Sequence, residues 1–303
     1  MTKSAFISIV GKPNVGKSSL MNNLIGQKVA IVTNKPQTTR TKIMGVLTSG
    51  DNQFVFIDTP GLHKPKTKLG ENMVKAVKDS MADVDVCVLV IDAVSEPIEK
   101  LPTAADIELI EKIKSDKMDC ILAINKIDLV DDKSKIMDII LLYSKLFDFS
   151  AIIPLSAKNG DGVSILKKEL EKYCVEAPHF FSDDELTDQN ERTIASEMIR
   201  EKMLLNLNKE VPHGIAVSIE KFKDRKTSSG EDIIDIEAII YCESESHKGI
   251  IIGKRGEMLK RISTGARKEI ENFFCCKINL QCWVKVKEDW RNRTGLIHNF
   301  GLD

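Results

Sequence analysis

Through the first half of the chain, short apolar runs alternate with stretches whose apolar residues recur at helical spacing. The runs Ala5 to Val10, Lys42 to Thr48, Gln53 to Asp58, Val86 to Asp92, Asp119 to Asn125 and Ala151 to Leu155 have the length of strands. Strands separated by helical segments predict βαβ units and a doubly wound, mainly parallel sheet of the α/β class. The polar residues of chemical interest fall at the ends of these strands, where such a sheet opens its ligand crevice. After Tyr173 the pattern changes, and Cys174 to Gln189, with Pro178, Ser182 and a run of acids, reads as a linker. Beyond it, Glu191 to Leu207 has helical spacing, while Gly214 to Phe222 and Ile233 to Cys242 alternate as strands. An amphipathic helix from about Glu257 to Phe273 and a last strand, Lys277 to Lys287, complete an α-β-β-α-α-β order. The expected organisation is a domain over 1–174, a linker over 175–189 and a smaller α+β domain over 190–303.

Length and composition agree with two globular domains. The chain has 303 residues, 42% hydrophobic and 29% charged, more than one core usually holds. Its longest apolar stretches, such as Val86 to Ile91, fall far short of a membrane span. Ala5 to Val10 follows Met1-Thr2-Lys3-Ser4 directly, without the apolar region and cleavage site of an export signal. Seven cysteines, none in C-x-x-C spacing, read as reduced structural thiols of a cytoplasmic protein. The net charge of −1 hides a local feature: His247 to Arg293 carries 12 Lys and Arg against 5 Asp and Glu. That excess suits a phosphate-bearing partner, although a solvated face with scattered lysines would look the same.

Candidate chemistry enters with two motifs. Gly11-Lys12-Pro13-Asn14-Val15-Gly16-Lys17-Ser18, followed by Ser19, sits between the first strand and a helix from Ser18 to Ile25. This is a Walker A loop: its amides turn inward around phosphates, Lys17 reaches the β/γ oxygens and Ser18 takes Mg²⁺. Asn125-Lys126-Ile127-Asp128 supplies purine specificity, since the Asp128 carboxylate can accept two hydrogen bonds from guanine N1–H and N2–H₂ where adenine offers no donor pair. Order and spacing predict a GTP-binding, GTP-hydrolysing site. Three weaker signals gain meaning from position. Asp58-Thr59-Pro60-Gly61 ends the third strand, with Asp58 near Mg²⁺ and the Gly61 amide at the γ-phosphate. In Lys35-Pro36-Gln37-Thr38-Thr39-Arg40, Thr39, or else Thr38, would complete the Mg²⁺ shell only with GTP bound. Ser156-Ala157-Lys158 offers amides to guanine O6. The catalytic expectation therefore rests on Lys17, Thr39 and Gly61, and the metal expectation on Ser18, Thr39 and Asp58.

In the second domain, Ile250-Ile251-Ile252-Gly253-Lys254-Arg255-Gly256 lies between two helical segments. It reads as the G-x-x-G loop of a type II KH fold, which clamps the backbone of about four nucleotides. The glycines let phosphates approach, Lys254 and Arg255 supply charge, and Ile250 to Ile252 would form an apolar floor for bases. Trp283 and Trp290 could stack on bases, with core or rim packing the plainer role.

The five elements of the first domain resemble the translation-factor-related class of P-loop GTPases. At the local level, G-K-P-N-V-G-K-S-S-L, P-Q-T-T-R, D-T-P-G-L-H and N-K-I-D resemble the Era family, within the TrmE-Era-EngA-YihA-Septin-like GTPases. The G-x-x-G loop and the ending W-V-K-V-K fit that family too, so the resemblance spans essentially the whole chain. It implies a bacterial or organellar factor that binds near the 3′ end of small-subunit ribosomal RNA and assists 30S subunit maturation, with Mg²⁺ and GTP or GDP as ligands. It further implies an option of peripheral association with the cytoplasmic membrane, and an option that Asn14 ligates K⁺ rather than serving as an ordinary turn residue. Leu62 occupies the position where Ras-like relatives carry a water-orienting glutamine; a leucine cannot hydrogen-bond water, so slow intrinsic turnover is expected, with His63 a weak substitute. No DNA partner is expected, and the expected state is a monomer. Two other readings stay open: a GTPase acting mainly at membranes or in cell-cycle control, and a constitutive RNA-binding protein with a structural nucleotide.

Overall fold

The computed structural model describes residues 1–35, 37–61, 67–79, 84–226 and 230–302, without the side chains of 77–79. The chain forms two compact units. One gathers residues 1–30, 39–65 and 73–188, the other 31–38, 66–72 and 189–303.

The first unit is built on a seven-stranded sheet. In chain order its elements are β1 (Lys3–Val10), α1 (Lys17–Ile25), β2 (Ile43–Ser49), β3 (Asn52–Asp58), α2 (Lys68–Asp79), β4 (Val86–Asp92), α3 (Ala104–Ser115), β5 (Cys120–Asn125), α4 (Ser134–Ser144), β6 (Ala151–Pro154), α5 (Val163–Leu170) and β7 (Val175–Glu176). The α2 helix begins in the 66–72 segment of the second unit. The sheet order is β2-β3-β1-β4-β5-β6, with β7 on β1. All pairings are parallel except β2 with β3 and β7 with β1. Every position of β4 is buried, as befits a central strand covered on both faces. Two apolar clusters lie on opposite sides: Ile7, Ile9, Phe54, Phe56, Val88 and Ala123 face α1 and α5, while Leu89, Ile91, Leu122 and Ile124 face α3 and α4. The alternation along each strand thus divides its side chains between the two layers.

The stretch read as a linker is packed within this unit. β7 pairs Glu176 with Lys3, Thr187 bridges Gly45, and Gln53 Oε1 accepts the amides of Phe180 at 2.8 Å and Phe181 at 3.0 Å. Composition signalled a loop here; only the fold shows that backbone groups along it pair with β1, with β2 and with the Gln53 side chain.

The second unit contains α6 (Glu191–Asn206), β8 (Ala216–Lys226), β9 (Asp232–Cys242), α7 (Glu245–Ile252), α8 (Glu257–Phe274), β10 (Lys277–Val286) and α9 (Thr294–Asn299). Its sheet order is β10-β9-β8, with β10 parallel and β8 antiparallel to β9. Ile234, Ile236, Ala238, Ile240 and Cys242 of β9 alternate into a core with Ile262, Ala266 and Ile270 of α8 and Ala195, Met198 and Ile199 of α6. Segment 31–38 belongs to this unit: Val32 N–H donates to Glu201 at 2.9 Å, and Arg200, 2% exposed, pairs with Glu197 and donates to the carbonyls of Gln37 and Thr38. The α9 helix was not expected from the sequence. It follows Trp290, which is fully buried, donates its indole N–H to the Gly214 carbonyl at 2.9 Å and meets Phe300 edge-on.

Candidate nucleotide-binding and RNA-binding sites

The Walker A loop leaves β1 through backbone shapes that need glycine. Gly11 (φ +152°) and Gly16 (φ +103°) adopt angles that L side chains rarely do, and a Cβ on Gly11 would lie 2.3 Å from the Val90 carbonyl oxygen. Gly16 then starts α1, so the amides at its N-terminus face the loop, a geometry suited to anions. Lys17 folds back over this loop, donating from Nζ to the carbonyls of Gly11 at 3.1 Å and Lys12 at 2.9 Å. Burial pushes its pKa down to about 8, with nearby Asp58 partly opposing the shift.

Ser18, Thr39 and Asp58 converge. Ser18 Oγ donates to Asp58 Oδ2 at 2.6 Å and lies 3.1 Å from Thr39 Oγ1, which is itself 3.4 Å from Asp58 Oδ2. Thr38 turns elsewhere, to Thr33 Oγ1 and the Lys35 carbonyl, both at 2.7 Å. The second carboxylate oxygen of Asp58 is buried without a hydrogen-bond partner among the described residues. Burial raises the Asp58 pKa, opposed by Lys17 and the two hydroxyls. A buried orphan oxygen beside two hydroxyl oxygens is a hard-donor set that fits Mg²⁺, which takes oxygen ligands and keeps several waters. Thr59 is anchored to the Ile9 carbonyl at 3.2 Å. Pro60 leads to Gly61, where a Cβ would lie 2.5 Å from Pro13 N; here glycine permits two loops to touch. Leu62 and His63 lie outside the described residues.

The base-reading loops are tied together by Asn125. Its Nδ2 donates to the Val15 carbonyl at 2.7 Å, and its Oδ1 accepts the amides of Lys126 at 2.8 Å and Ala157 at 2.9 Å. One side chain thus staples the phosphate loop, the N-K-I-D loop and the Ser156 loop. Asp128 Oδ1 accepts the Ser156 hydroxyl at 2.7 Å, and Ile127 opens the short turn carrying Asp128. The offer of amides to guanine O6 is narrower than expected. Ser156 N–H goes to Asp161, Asn159 N–H to Ser156 Oγ and Ala157 N–H to Asn125, so O6 would have to share the Ala157 hydrogen or use Lys158. Asn14 takes a left-handed conformation (φ 65°) in the phosphate loop. Lys12 and Ser19 lie at the loop's two ends.

In the second unit, Gly253 ends α7 and Gly256 starts α8, at φ 72° and 80°. A Cβ on Gly253 would meet Met258 Cβ at 2.6 Å, whereas none of these obstacles exists at Gly256. Lys254 and Arg255 form the exposed tip, Arg255 in a left-handed conformation. The three isoleucines do not form one floor. They are consecutive on a helix, so each points about 100° from the last: Ile251 is in the core, Ile250 is 50% exposed and Ile252 is half-buried. Of the tryptophans, Trp290 is core and Trp283 is 44% exposed on β10.

The first unit's parallel sheet with its phosphate and base loops, and the second unit's three strands with a G-x-x-G turn between helices, define a P-loop GTPase joined to a KH domain. Residues 6–126 match the family model described as 50S ribosome-binding GTPase, and residues 210–291 match the KH domain model. The chain belongs to the GTPase Era family. It is 51% identical to GTPase Era of Ruminiclostridium cellulolyticum, over 99% of this chain and 97% of that one, and 50% identical to GTPase Era of Clostridioides difficile, over 100% and 99%. Among solved structures it is similar to Era in complex with MgGDPNP and nucleotides 1506–1542 of 16S ribosomal RNA, with a TM-score of 0.92 and 36% identity over 100% of this chain and 99% of that one. It is equally similar to an Aquifex aeolicus Era variant bound to GDP·AlF4⁻, with a TM-score of 0.92 and 37% identity over 99% of each chain.

Proposed function

We propose that this GTPase binds the 3′ region of small-subunit ribosomal RNA through residues 190–303 and assists 30S assembly under control of the nucleotide held by residues 1–174. The whole-chain likeness to Era carrying 16S ribosomal RNA supports the reading, and it favours the small subunit over the 50S particle named for the partial family model. Ser18, Thr39 and Asp58 are the residues that would hold Mg²⁺. The ion would neutralise charge on the transferred phosphoryl group. Lys17 serves the β/γ oxygens, and the Gly61 amide senses the γ-phosphate. GTP orders the loops at Thr39 and Gly61, and hydrolysis relaxes them. Asp128 reads guanine, with Asn125 holding the loops that surround the base. Lys254 and Arg255 meet RNA phosphates, while Gly253 and Gly256 let the backbone approach.

Finer features belong to the same proposal. Asn14, left-handed in the phosphate loop, is the residue proposed to ligate K⁺. Among the described residues no helix is long and apolar enough to cross a membrane; the proposed location is the cytoplasm, with peripheral membrane contact as a secondary behaviour, and the proposed state is a monomer.

The test is binding of a short RNA copied from the 3′ end of 16S ribosomal RNA, against a scrambled RNA, in GTP-analogue, GDP and nucleotide-free states at two salt concentrations. Selective, nucleotide-dependent binding is expected. Equal affinity for both RNAs in every state would overturn the ribosomal assignment while leaving the GTPase intact.

A further inference from the structure

Asp92 ends β4, outside the phosphate, metal and base-reading motifs. Its side chain is 3% exposed, and both carboxylate oxygens are used. Oδ1 accepts the amides of Val94 at 2.8 Å and Ser95 at 3.1 Å, which fixes the turn leaving the strand. Oδ2 accepts Lys126 Nζ at 2.5 Å. The carboxylate is held in place independently of the lysine: β4 and β5 run parallel with Asp92 opposite Asn125, and the Ala93 amide donates to the Asn125 carbonyl at 3.0 Å. Lys126 stands in a left-handed conformation, φ 66° and ψ 33°, which costs a side-chain-bearing residue on the order of 1 kcal/mol. From there its stem must reach from the base-reading loop to the end of β4, with the side chain still 31% exposed.

We propose that Asp92 is a positioning residue for guanine nucleotides: it holds the Lys126 ammonium so that the four-carbon stem is stretched beside the pocket read by Asp128, as an apolar wall for one face of the purine. A free lysine would sample many rotamers, and fixing it would cost up to about 2 kcal/mol of side-chain entropy at each binding event. Tethering at Asp92 spends that entropy on folding, before the nucleotide arrives. The ammonium is also kept off the base, where its hydration would oppose stacking. The arrangement assigns Asp92 a role in nucleotide residence without any contact to the nucleotide, and it rests on the reading of Asn125 to Asp128 as the base site.

The experiment is a double-mutant cycle on the full chain, read as the dissociation rate of a fluorescent GDP analogue with Mg²⁺ present. Asp92→Asn retains an oxygen for the Val94 and Ser95 amides but puts an amide N–H₂, which cannot accept from an ammonium, where Oδ2 holds Lys126, removing both the charge and the hydrogen bond of the tether. It is expected to speed dissociation by about tenfold, while in the Lys126→Met background the same change adds less than about twofold, because coupled residues are non-additive. Thermal unfolding without nucleotide supplies a second reading. Lys126→Met leaves the buried Asp92 carboxylate without its counter-ion, so adding Asp92→Asn should raise the melting temperature of Lys126→Met. An unchanged dissociation rate in Asp92→Asn, or an equal effect in both backgrounds, would overturn the proposal. Failure of the base-site reading is distinguished by Asp128→Asn: if that variant turns toward xanthine nucleotides while Asp92→Asn is silent, only the positioning role falls.

Discussion

At the residue scale, Asp128 and Lys17 give separable predictions. Asp128→Asn exchanges one acceptor oxygen for a donor amide, losing one of the two charge-assisted hydrogen bonds, worth about 1.5–3 kcal/mol, and setting its new N–H against a guanine N–H left unpaired at a further cost of roughly 1–3 kcal/mol. GTP affinity should therefore fall by at least about a hundredfold, with preference moving to xanthine nucleotides, as competition against labelled GDP will report. Lys17 has a depressed pKa of about 8 from burial. Between about 8 and its ordinary value of 10.5, the unfolded chain binds more protons at this site than the folded one. The Lys17 contribution thus makes nucleotide-free stability rise with pH in that window, its desolvation cost being full below it. Nucleotide phosphates favour the charged amine, so nucleotide affinity should fall as pH rises past about 8, and binding near that pH should take up a proton. Calorimetry in two buffers of different ionisation enthalpy measures that uptake; no buffer dependence would refute the shift. The sequence announced Lys17, Ser18 and Asp128 because their chemistry depends on type and spacing. It was silent about Asp92, Arg200 and Glu201, each of which also has a partner far along the chain (Lys126, Gln37 with Thr38, and Val32) brought to it only by strand register and helix packing.

At the element scale, the six strands of the first sheet were legible because buried parallel strands are continuous apolar runs bounded by polar ends. β7, at two residues, and α9, at six, are too short to carry a period, and their places are set by tertiary contacts. The junctions between elements carry the site. Asn125→Ala would remove three hydrogen bonds and strand the Val15 carbonyl and the Ala157 amide, at roughly 1–3 kcal/mol for each buried group left unpaired. A drop of about 2–4 kcal/mol in urea-determined stability is expected, together with weaker nucleotide binding. In the G-x-x-G turn, the obstruction at Gly253 means that a side chain there would distort α8 as well as block RNA. Lys254→Glu with Arg255→Glu alters only exposed side chains. It should weaken 16S RNA binding by about ten- to a hundredfold and flatten its salt dependence, with GDP affinity unchanged; unaltered RNA binding would remove the turn from the interface.

At the scale of the whole molecule, basic charge and tryptophan are distributed unequally. The basic excess read from His247 to Arg293 lies wholly in the second unit, beside the turn that carries Lys254 and Arg255. In the first unit the chemistry depends on burial and backbone amides instead, with Lys17, Asp58 and Asp92 all nearly inaccessible. Occupancy by Mg²⁺ and GDP should accordingly raise the unit's melting temperature by several degrees at saturating ligand, since a ligand at about a hundred times its Kd contributes roughly 2.7 kcal/mol. Chelating Mg²⁺ should reverse most of that gain if Ser18, Thr39 and Asp58 hold the ion.

Both tryptophans of the chain belong to the second unit. Trp290 is sealed under Phe300 with its indole N–H satisfied, and Trp283 is half-exposed on β10. Red-edge excitation that spares tyrosine will thus see the second unit alone, without any label. Within that signal, iodide will extinguish the Trp283 component and leave the Trp290 component bright. The protein carries its own two-colour optical gauge: one emitter responds to whatever covers the outer face of the sheet, and the other to whether the unit is folded.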